Sequence, residues 1–201
     1  LAACDFAAAK LAYAIMGTAF CRHVLGVKSP KIGLMSNGEE DEKGTAFTKE
    51  TFKRLKEVPG IDFIGNVEGH DLFETKLDVV LCDGFVGNVV LKSVEATAKA
   101  VSKWLKAEIK GNPLRIAGAV LAGGAFKALK EKSSYETYGG SPLLGVNGVV
   151  IIAHGSSSAL AVKNAIRVGV ETAEHKINAK IEEAMAKIGP STTDVIPAME
   201  V

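Results

Sequence analysis

The segment Val149-Val-Ile-Ile-Ala-His-Gly-Ser-Ser-Ser158 joins a continuous apolar run to a polar stretch that contains glycine and serine. Short apolar runs rich in β-branched residues, such as Val149–Ala153, are typical of strands covered on both faces. Helical spacing of apolar residues begins after Gly155, which predicts Ser156 or Ser157 as the N-cap of a helix. The segment therefore predicts a strand that leads directly into a helix, the repeating unit of an α/β fold.

The start of this predicted helix is suited to binding an anion. The first backbone N–H groups of a helix have no partners within it, and the positive end of the helix dipole adds to their attraction for phosphate or a developing oxyanion. His154 comes just before this start, at the carboxyl end of the predicted strand. Open α/β sheets place their binding sites at such strand ends, so the segment indicates an anion site as well as a fold.

Strands and helices alternate along the rest of the chain. Strands are predicted at residues 32–35, 61–65 and 78–82, and helices at residues 6–26 and about 48–58. The turn Asp83–Asn88 is predicted to lead into a further long helix that reaches about Lys110. This alternation predicts a mostly parallel α/β sheet with right-handed crossovers. Because 201 residues can bury one sizeable core, we expect a single α/β domain over residues 1–188 and a loose tail over residues 189–201.

Composition and charge exclude several classes of protein. A formal charge of +1 and a pI near 7.9 give no overall positive field, so nucleic acid is not a predicted partner. Three scattered cysteines and four scattered histidines offer no disulfide framework and no metal-ligand spacing. No Gly-x-Gly-x-x-Gly motif indicates a dinucleotide either, so we predict no metal and no cofactor.

The chain carries no sign of export or of membrane insertion. No apolar run approaches the ~20 residues that a membrane-spanning helix needs, and no charged signal sequence opens the chain. The scattered cysteines fit a reducing compartment, so a cytoplasmic location is expected. The chain begins at Leu1 and enters an alanine-rich helical segment directly, which we interpret as a piece of a longer protein.

Polar residues follow three of the predicted strands. They form the segments Asn37–Glu40, Asp83–Asn88 and His154–Ser157. Because the carboxyl ends of the strands in a doubly wound sheet line one crevice, these residues are candidates for a functional site. The alternative for the second segment is structural, since aspartate and asparagine favour helix caps and glycine favours turns.

Other kinds of chemistry are less well supported. Cys82 is either a thiolate activated by His154 or a buried strand residue. The acidic residues 39–42 are either a divalent-ion site or an exposed loop. A serine hydrolase is not indicated, because the chain lacks the Gly-x-Ser-x-Gly motif that exposes a serine nucleophile.

Two predicted helices carry long apolar seams. In the helix that reaches about Lys110, helical spacing predicts an inward-packing face formed by Val90, Val94, Ala98, Val101, Leu105 and Ile109. The last helix is predicted from Ser156 to about Ile188, with a seam formed by Val162, Ile166, Val170, Ala173, Ile177, Ile181, Ala184 and Ile188. That second seam is longer than one small core can cover, so we expect its outer half to pack against a second subunit.

The stretch from Lys99 to Lys132 is strongly basic, with eight lysine or arginine residues against two glutamates. One interpretation is a solvated basic face over an ordinary core helix. The other is an amphipathic helical hairpin that rests on an anionic membrane surface. In that second case the residues that contact the membrane are Trp104, Phe126, Lys127, Lys130 and Lys132.

Four motifs in order resemble the bacterial phosphate acyltransferases of phospholipid synthesis, the PlsX family. They are Gly65-Asn-Val-Glu-Gly69, Cys82-Asp-Gly-Phe-Val-Gly-Asn-Val-Val-Leu-Lys92, Tyr138-Gly-Gly-Ser-Pro-Leu-Leu-Gly-Val-Asn-Gly148 and Ile151-Ile-Ala-His-Gly-Ser-Ser157. The resemblance covers about residues 14–185 and corresponds to the carboxyl-terminal part of the family. The family's amino-terminal Asp-Ala-Met-Gly-Gly-Asp motif is not present, Ser36-Asn-Gly replaces the usual Asn-Ile-Gly, and His70 replaces a more usual arginine.

The resemblance implies both a fold and an activity. The fold is a three-layer α/β/α, Rossmann-like fold similar to that of isopropylmalate dehydrogenases and phosphotransacetylases, here with a protruding helical hairpin. The activity is transfer of a fatty acyl group from acyl carrier protein to inorganic phosphate, which gives acyl phosphate. The resemblance also implies a homodimer that associates peripherally with the inner face of the membrane.

Under this implied activity the site residues take defined roles. Phosphate is the nucleophile, so the site must orient it and stabilise the oxyanion. We assign the phosphate and substrate contacts to Asp83, Gly84, Asn147, Gly155, Ser156 and Ser157, and the catalytic roles to His154, Asn88 and Lys92. His154 would act as general acid or base or hold its loop, and Lys92 would offset phosphate charge. Two alternatives are a short-chain phosphotransacetylase and a non-catalytic membrane-associated fragment.

Overall fold

The computed structural model of the protein describes residues 6–73, 77–133 and 139–187; the side chains of residues 6–8 and 130–133 are outside this description. In chain order the helices and strands are α1 (Phe6–His23), β1 (Lys31–Met35), α2 (Ala46–Glu57), β2 (Asp62–Val67), β3 (Val79–Leu81), α3 (Gly84–Lys110), α4 (Pro113–Leu121), α5 (Gly123–Ser133), β4 (Ser141–Pro142), β5 (Ile151–Ile152), α6 (Ala159–Glu174) and α7 (Ile177–Ala186). A 3₁₀ turn spans Asp71–Phe73.

The chain folds into two compact units. The first unit is formed by Leu1–Cys82, Pro142–Val150 and Gly169–Val201, and the second by Asp83–Ser141 and Ile151–Val168. A single domain over residues 1–188 stays a prediction. The predicted tail over residues 189–201 lies outside the described residues.

The first unit is built on a parallel three-stranded sheet with the order β2-β1-β3. β1 is central, and its residues Ile32 and Leu34 are completely buried. Alternate residues of a strand point to the same face, and these two pack against Leu11 of α1 and Leu55 of α2. The predicted parallel α/β architecture is therefore confirmed, with α1 and α2 contributing to the core over this face of the sheet.

A bulge in β2 extends this strand beyond its predicted end at Gly65. The register with β1 shifts between Ile32 and Gly33, which pair with Phe63 and Gly65. Gly65 has a φ of +108°, a conformation that residues with a side chain rarely adopt. The glycine therefore permits a strand that continues to Val67.

The last predicted helix is two helices rather than one. Lys176 takes a left-handed conformation with a φ of +49°, which separates α6 from α7. Ile177 and Ile181 of α7 are then buried against α1, whereas Ile166 of α6 is 64% exposed. The expectation of one continuous helix over 156–188 was therefore wrong. The chain turns at Lys176, and the carboxyl-terminal half of the predicted apolar seam then packs against α1 of the same chain.

The predicted strand over residues 149–153 is much shorter than expected. Only Ile151–Ile152 forms a strand, and it pairs with Ser141–Pro142 in a separate two-stranded sheet instead of joining the three-stranded one. Val150, next to it, is 46% exposed. The expectation that both faces of this strand are covered was therefore wrong for this chain. An apolar, β-branched run indicates a strand that can be buried, but it does not identify the elements that would cover it.

The apolar face predicted to pack inward on α3 is exposed. None of the residues of α3, all of which are described, is buried, and Val94, Val101 and Leu105 are among its exposed apolar side chains. Helical spacing correctly predicted the helix and the alignment of these residues. The prediction that this face packs inward was wrong, because these side chains remain exposed in the described part of the chain.

Candidate functional site

A cavity of about 750 Å³ lies within the second unit. One wall is a row of lysines on α3, namely Lys99, Lys103, Lys106 and Lys110, and the turn before α6 contributes His154 and Ser156. The cavity that these six residues line is called the lysine-row cavity below. It brings the predicted site residues His154 and Ser156 together with four lysines that the sequence indicates only as part of a basic stretch.

The lysine row follows from helix geometry. Its members are separated by four, three and four positions, and at roughly 100° per residue these intervals keep them within about 60° of one another around the helix. Asn88 and Lys92 lie on the same face, one and two turns from the start of α3. The helix therefore aligns these two predicted catalytic residues with the lysine row, although they do not line the cavity itself.

The cavity has an excess of positive charge. Its four lysines are accompanied by Glu95, whose Oε2 lies 4.0 Å from Nζ of Lys99. That pair is exposed to solvent, so its attraction is weak and does not neutralise the row. Ammonium groups on flexible stems bind oxyanions as mobile point charges, which makes the cavity suitable for a phosphate-bearing ligand.

His154 begins a turn that differs from the predicted one. The N–H of Ser157 donates to the carbonyl oxygen of His154 over 3.0 Å. The N-cap of α6 is Ser158, whose Oγ accepts from the N–H of Ala161 over 3.3 Å, so the predicted caps Ser156 and Ser157 were wrong. Gly155–Ser157 thus lies before the helix, and the assignment of Gly155 and Ser157 to the phosphate site stays a prediction.

The turn after β3 is built around a helix cap. Asp83 is the N-cap of α3, and its Oδ1 accepts from the N–H of Val86 over 2.8 Å. Gly84 has no described atom within 4 Å of the position that a Cβ would take. The carboxylate therefore stabilises the helix start, and steric crowding by the described residues does not explain the glycine.

Asn147 belongs to the first unit, in a loop held by a side chain of α7. Nδ2 of Asn178 donates to the carbonyl oxygens of Val146 and Gly148, over 2.9 Å and 3.1 Å. Asn147 itself is exposed between these anchored residues. Its assignment as a phosphate- or substrate-binding residue stays a prediction.

The hairpin residues lie on α3, α4 and α5. Asn112 caps α4, and Nη1 of Arg115 lies 2.7 Å from Oε2 of Glu108, which ties α4 to the end of α3. Trp104, Phe126 and Lys127 are exposed. The side chains of Lys130 and Lys132 are outside the description, although both residues lie in α5.

Comparisons with known proteins agree with the motifs. A model of the family described as "Fatty acid synthesis protein" matches residues 2–180. The chain belongs to this family. The chain is also similar to a protein named phosphate acyltransferase from Akkermansia muciniphila, with 55% identity over 192 residues, or 92% of this chain and 55% of that protein.

Two further relatives carry the same name. The protein from Campylobacter concisus is 48% identical over 174 residues, and that from Leptospira biflexa is 49% identical over 177 residues. Each match covers 87% of this chain and 52% of the relative. The chain thus spans about half the length of the curated relatives that it matches.

A helix that crosses a membrane needs about 20 predominantly apolar residues in succession. Across residues 6–73, 77–133 and 139–187, no helix combines the length and the apolar character needed to cross a bilayer.

The lysine row was the part of the site that sequence reasoning missed. Its four residues were assigned to a solvated or membrane-facing basic stretch, although their spacing already places them on one helix face. The sequence did not indicate that His154 and Ser156 line the same cavity as this helix face. Only the fold of the second unit brings the two segments to one cavity.

Proposed function

We propose that the full-length protein is a phosphate acyltransferase that transfers a fatty acyl group from acyl carrier protein to inorganic phosphate. The observation that carries this proposal is the lysine-row cavity, in which four cations face the turn of His154 and Ser156. The names of the relatives and the four motifs support the same reaction. A cavity of this charge favours phosphate as the nucleophile over a neutral acceptor.

The proposed reaction needs no protein nucleophile. A phosphate oxygen attacks the thioester carbonyl carbon, the C–S bond breaks, and the carrier leaves as a thiolate that takes up a proton. The lysine row would hold the phosphate and lower the cost of charge build-up on the carbonyl oxygen. His154 would remove a proton from monobasic phosphate and return it to the leaving thiolate. Ser156 would donate its hydroxyl to a phosphate oxygen.

The reaction is tested with the full-length protein, long-chain acyl carrier protein and phosphate. Acyl phosphate is trapped by hydroxylamine as a hydroxamate, and the expected product depends on phosphate. Absence of a phosphate-dependent product would refute the proposal. Acetyl coenzyme A in place of the acyl carrier thioester tests the phosphotransacetylase alternative, for which it would be the better substrate.

The exposed apolar residues of the hairpin support peripheral association with an anionic membrane surface. Leu114 and Leu121 of α4 are 81% and 90% exposed, and Trp104 lies on the neighbouring helix α3. Lys127 and its basic neighbours in α5 would meet anionic headgroups. Co-sedimentation with phosphatidylglycerol vesicles is expected and should be lost in the variant Leu114→Ser/Leu121→Ser. Equal binding of the variant would exclude this surface.

Exposed apolar residues on α6 support the proposed homodimer. Val162, Ile166 and Val170 recur at four-residue intervals and are all exposed in this chain. A second copy would cover them, as isologous interfaces do. Light scattering after gel filtration should give a dimer that Ile166→Lys converts to a monomer, whereas the exposed control Lys163→Gln stays dimeric. A dimeric Ile166→Lys variant would place the interface elsewhere.

A further inference from the structure

Three side chains with metal-ligand atoms meet at the carboxyl ends of β1 and β2, in the first unit. They are Glu39, from the loop after β1, and His70 and Asp71, from the turn after β2. One potential ligand atom of each lies within 4.8 Å of the other two. Glu39 and His70 are 31 positions apart, so no local sequence motif could indicate this group.

The distances within the group suit a shared ion better than direct hydrogen bonds. Nε2 of His70 lies 3.7 Å from Oε1 of Glu39 and 3.5 Å from Oδ1 of Asp71. Hydrogen bonds between such atoms would be near 2.7–3.0 Å. Tetrahedral coordination with bonds of roughly 2.0–2.2 Å separates ligand atoms by roughly 3.3–3.6 Å. One nitrogen thus faces two carboxylates at about the spacing that a bound ion requires.

The surroundings orient the group for this role. Oε2 of Glu68 lies 3.6 Å from Nδ1 of His70, the ring nitrogen that is not paired with Glu39 or Asp71. This is longer than a hydrogen bond, but a carboxylate that closes on this nitrogen when a metal binds Nε2 would fix the tautomer and ring orientation of His70. The N–H of Glu68 also donates to Oδ2 of Asp71 over 2.7 Å, which leaves Oδ1 of Asp71 facing His70.

An independent observation at the same strand ends points to a ligand or water that the protein does not supply. Nδ2 of Asn66 donates to the carbonyl oxygen of Glu40, so this buried amide lies against the loop that carries Glu39. Within the described part of the chain, Oδ1 of Asn66 and Oγ of Ser36 are buried without a hydrogen-bond partner. Buried polar atoms normally have one.

We propose that Glu39, His70 and Asp71 bind a divalent transition-metal ion such as Zn²⁺, with Glu68 as the residue that positions His70. One imidazole and two carboxylates favour such an ion over Mg²⁺ or Ca²⁺, which prefer oxygen ligands alone. Three protein ligands leave a coordination position for water or another oxygen ligand. The site lies in the first unit, and the proposal is independent of the acyl transfer reaction.

The test uses the 201-residue chain, freed of metal with a chelator and titrated with Zn²⁺ by calorimetry and with Co²⁺ by visible absorption. One equivalent should bind, and the Co²⁺ absorption should show d–d bands of a nitrogen- and oxygen-ligated site. His70→Ala and Glu39→Gln should each lower the affinity at least tenfold. Glu68→Gln should lower it about 10- to 100-fold, as loss of an outer carboxylate does.

The controls separate this site from nonspecific binding. His175→Ala removes an exposed histidine outside the group and should leave the affinity unchanged. Glu39 is exposed, so Glu39→Gln tests the site even if His70→Ala disturbs the fold. Absence of binding, or wild-type affinity in both Glu39→Gln and His70→Ala, would overturn the proposal.

Discussion

The side-chain amide of Asn66 donates a 2.8 Å hydrogen bond to the backbone carbonyl of Glu40, and thereby fastens the loop after β1 to the end of β2. Asn66 is only 6% exposed and Glu40 is exposed, so the bond is partly shielded from water. Adjacent parallel strands bring their carboxyl-terminal loops to the same edge of a sheet. A polar residue in one strand can therefore order the loop of its neighbour.

Replacement of Asn66 by alanine should lower the free energy of unfolding by about 0.5–1.5 kcal/mol, because the half-buried hydrogen bond to the carbonyl oxygen of Glu40 is lost. Urea unfolding followed by circular dichroism measures the change. Asn37→Ala is the matched control, since Asn37 is an exposed asparagine in the same loop. Equal stability of the two variants would mean that the hydrogen bond does not stabilise the fold.

Gly33→Ala should destabilise the first unit by overpacking. A Cβ at Gly33 would lie 2.5 Å from Cγ1 of Val67 and 3.0 Å from Cδ1 of Leu77, both closer than ordinary contacts. Insertion of a methyl group into a packed core costs about 1–3 kcal/mol. Thermal unfolding should show a lower midpoint for this variant.

Gly84→Ala is the control for that prediction. The described residues leave space for a Cβ at Gly84, which begins α3. Less conformational freedom in the unfolded chain should make this variant equally stable or more stable by up to about 1 kcal/mol. A loss of stability as large as that of Gly33→Ala would show that general glycine effects, and not crowding, explain both results.

Neutralisation of the lysine row should weaken phosphate binding in the proposed reaction. The double variant Lys103→Gln/Lys106→Gln removes two of the four lysine charges of the cavity, and we expect a rise in the KM for phosphate of roughly tenfold, equivalent to about 1.4 kcal/mol. Hydroxamate formation at varied phosphate concentration measures it. Lys163→Gln, on α6 and outside the cavity, should leave the KM unchanged. An unchanged KM in the double variant would remove the row from the phosphate site.

Cys21 should react slowly with alkylating reagents. Burial raises the pKa of the Cys21 thiol above its ordinary value of 9.0, and the carboxylate of Asp78 raises it further. At pH 8, mass spectrometry should therefore show slower labelling by iodoacetamide at buried Cys21 than at half-exposed Cys82. Equal rates in the folded protein would contradict the burial of Cys21.

The same shift fixes the sign of a stability effect. The folded state favours the neutral thiol of Cys21, whose pKa it raises above 9.0. The contribution of this thiol to the free energy of unfolding is therefore complete below pH 9.0 and is lost as the pH rises through the raised pKa. Cys21→Ser removes this thiol titration. The stability of this variant should depend less on pH above 9.0 than that of the unchanged protein.

Much of the local structure was predictable from the residues alone. The helices around Phe52 and Trp104 and the strand at Ile32–Leu34 follow from apolar periodicity, and the parallel sheet follows from their alternation. The inferences of helices and strands succeeded because they depend on near neighbours in the chain. The assignment of His154 and Ser156 to a functional site also follows from a local pattern, polar residues after an apolar run, and stays a prediction.

The break at Lys176 and the exposure of Val150 were not predictable in this way. An unbroken apolar seam is compatible with one helix or two, and the burial of Ile177 and Ile181 against α1 decided between them. Likewise, a β-branched run indicates a strand without naming its partner. Such choices depend on packing between segments that are distant in sequence.

Local residue patterns were enough to predict the alternation of strands and helices, the alignment of the lysines on α3 and the motifs that identify the family. Which of these features meet depended on packing between distant segments. That packing placed His154 and Ser156 opposite the lysine row, and His70 between Glu39 and Asp71. The physical reason is that periodicity fixes the direction of a side chain within its own element, whereas long-range packing fixes what that side chain faces.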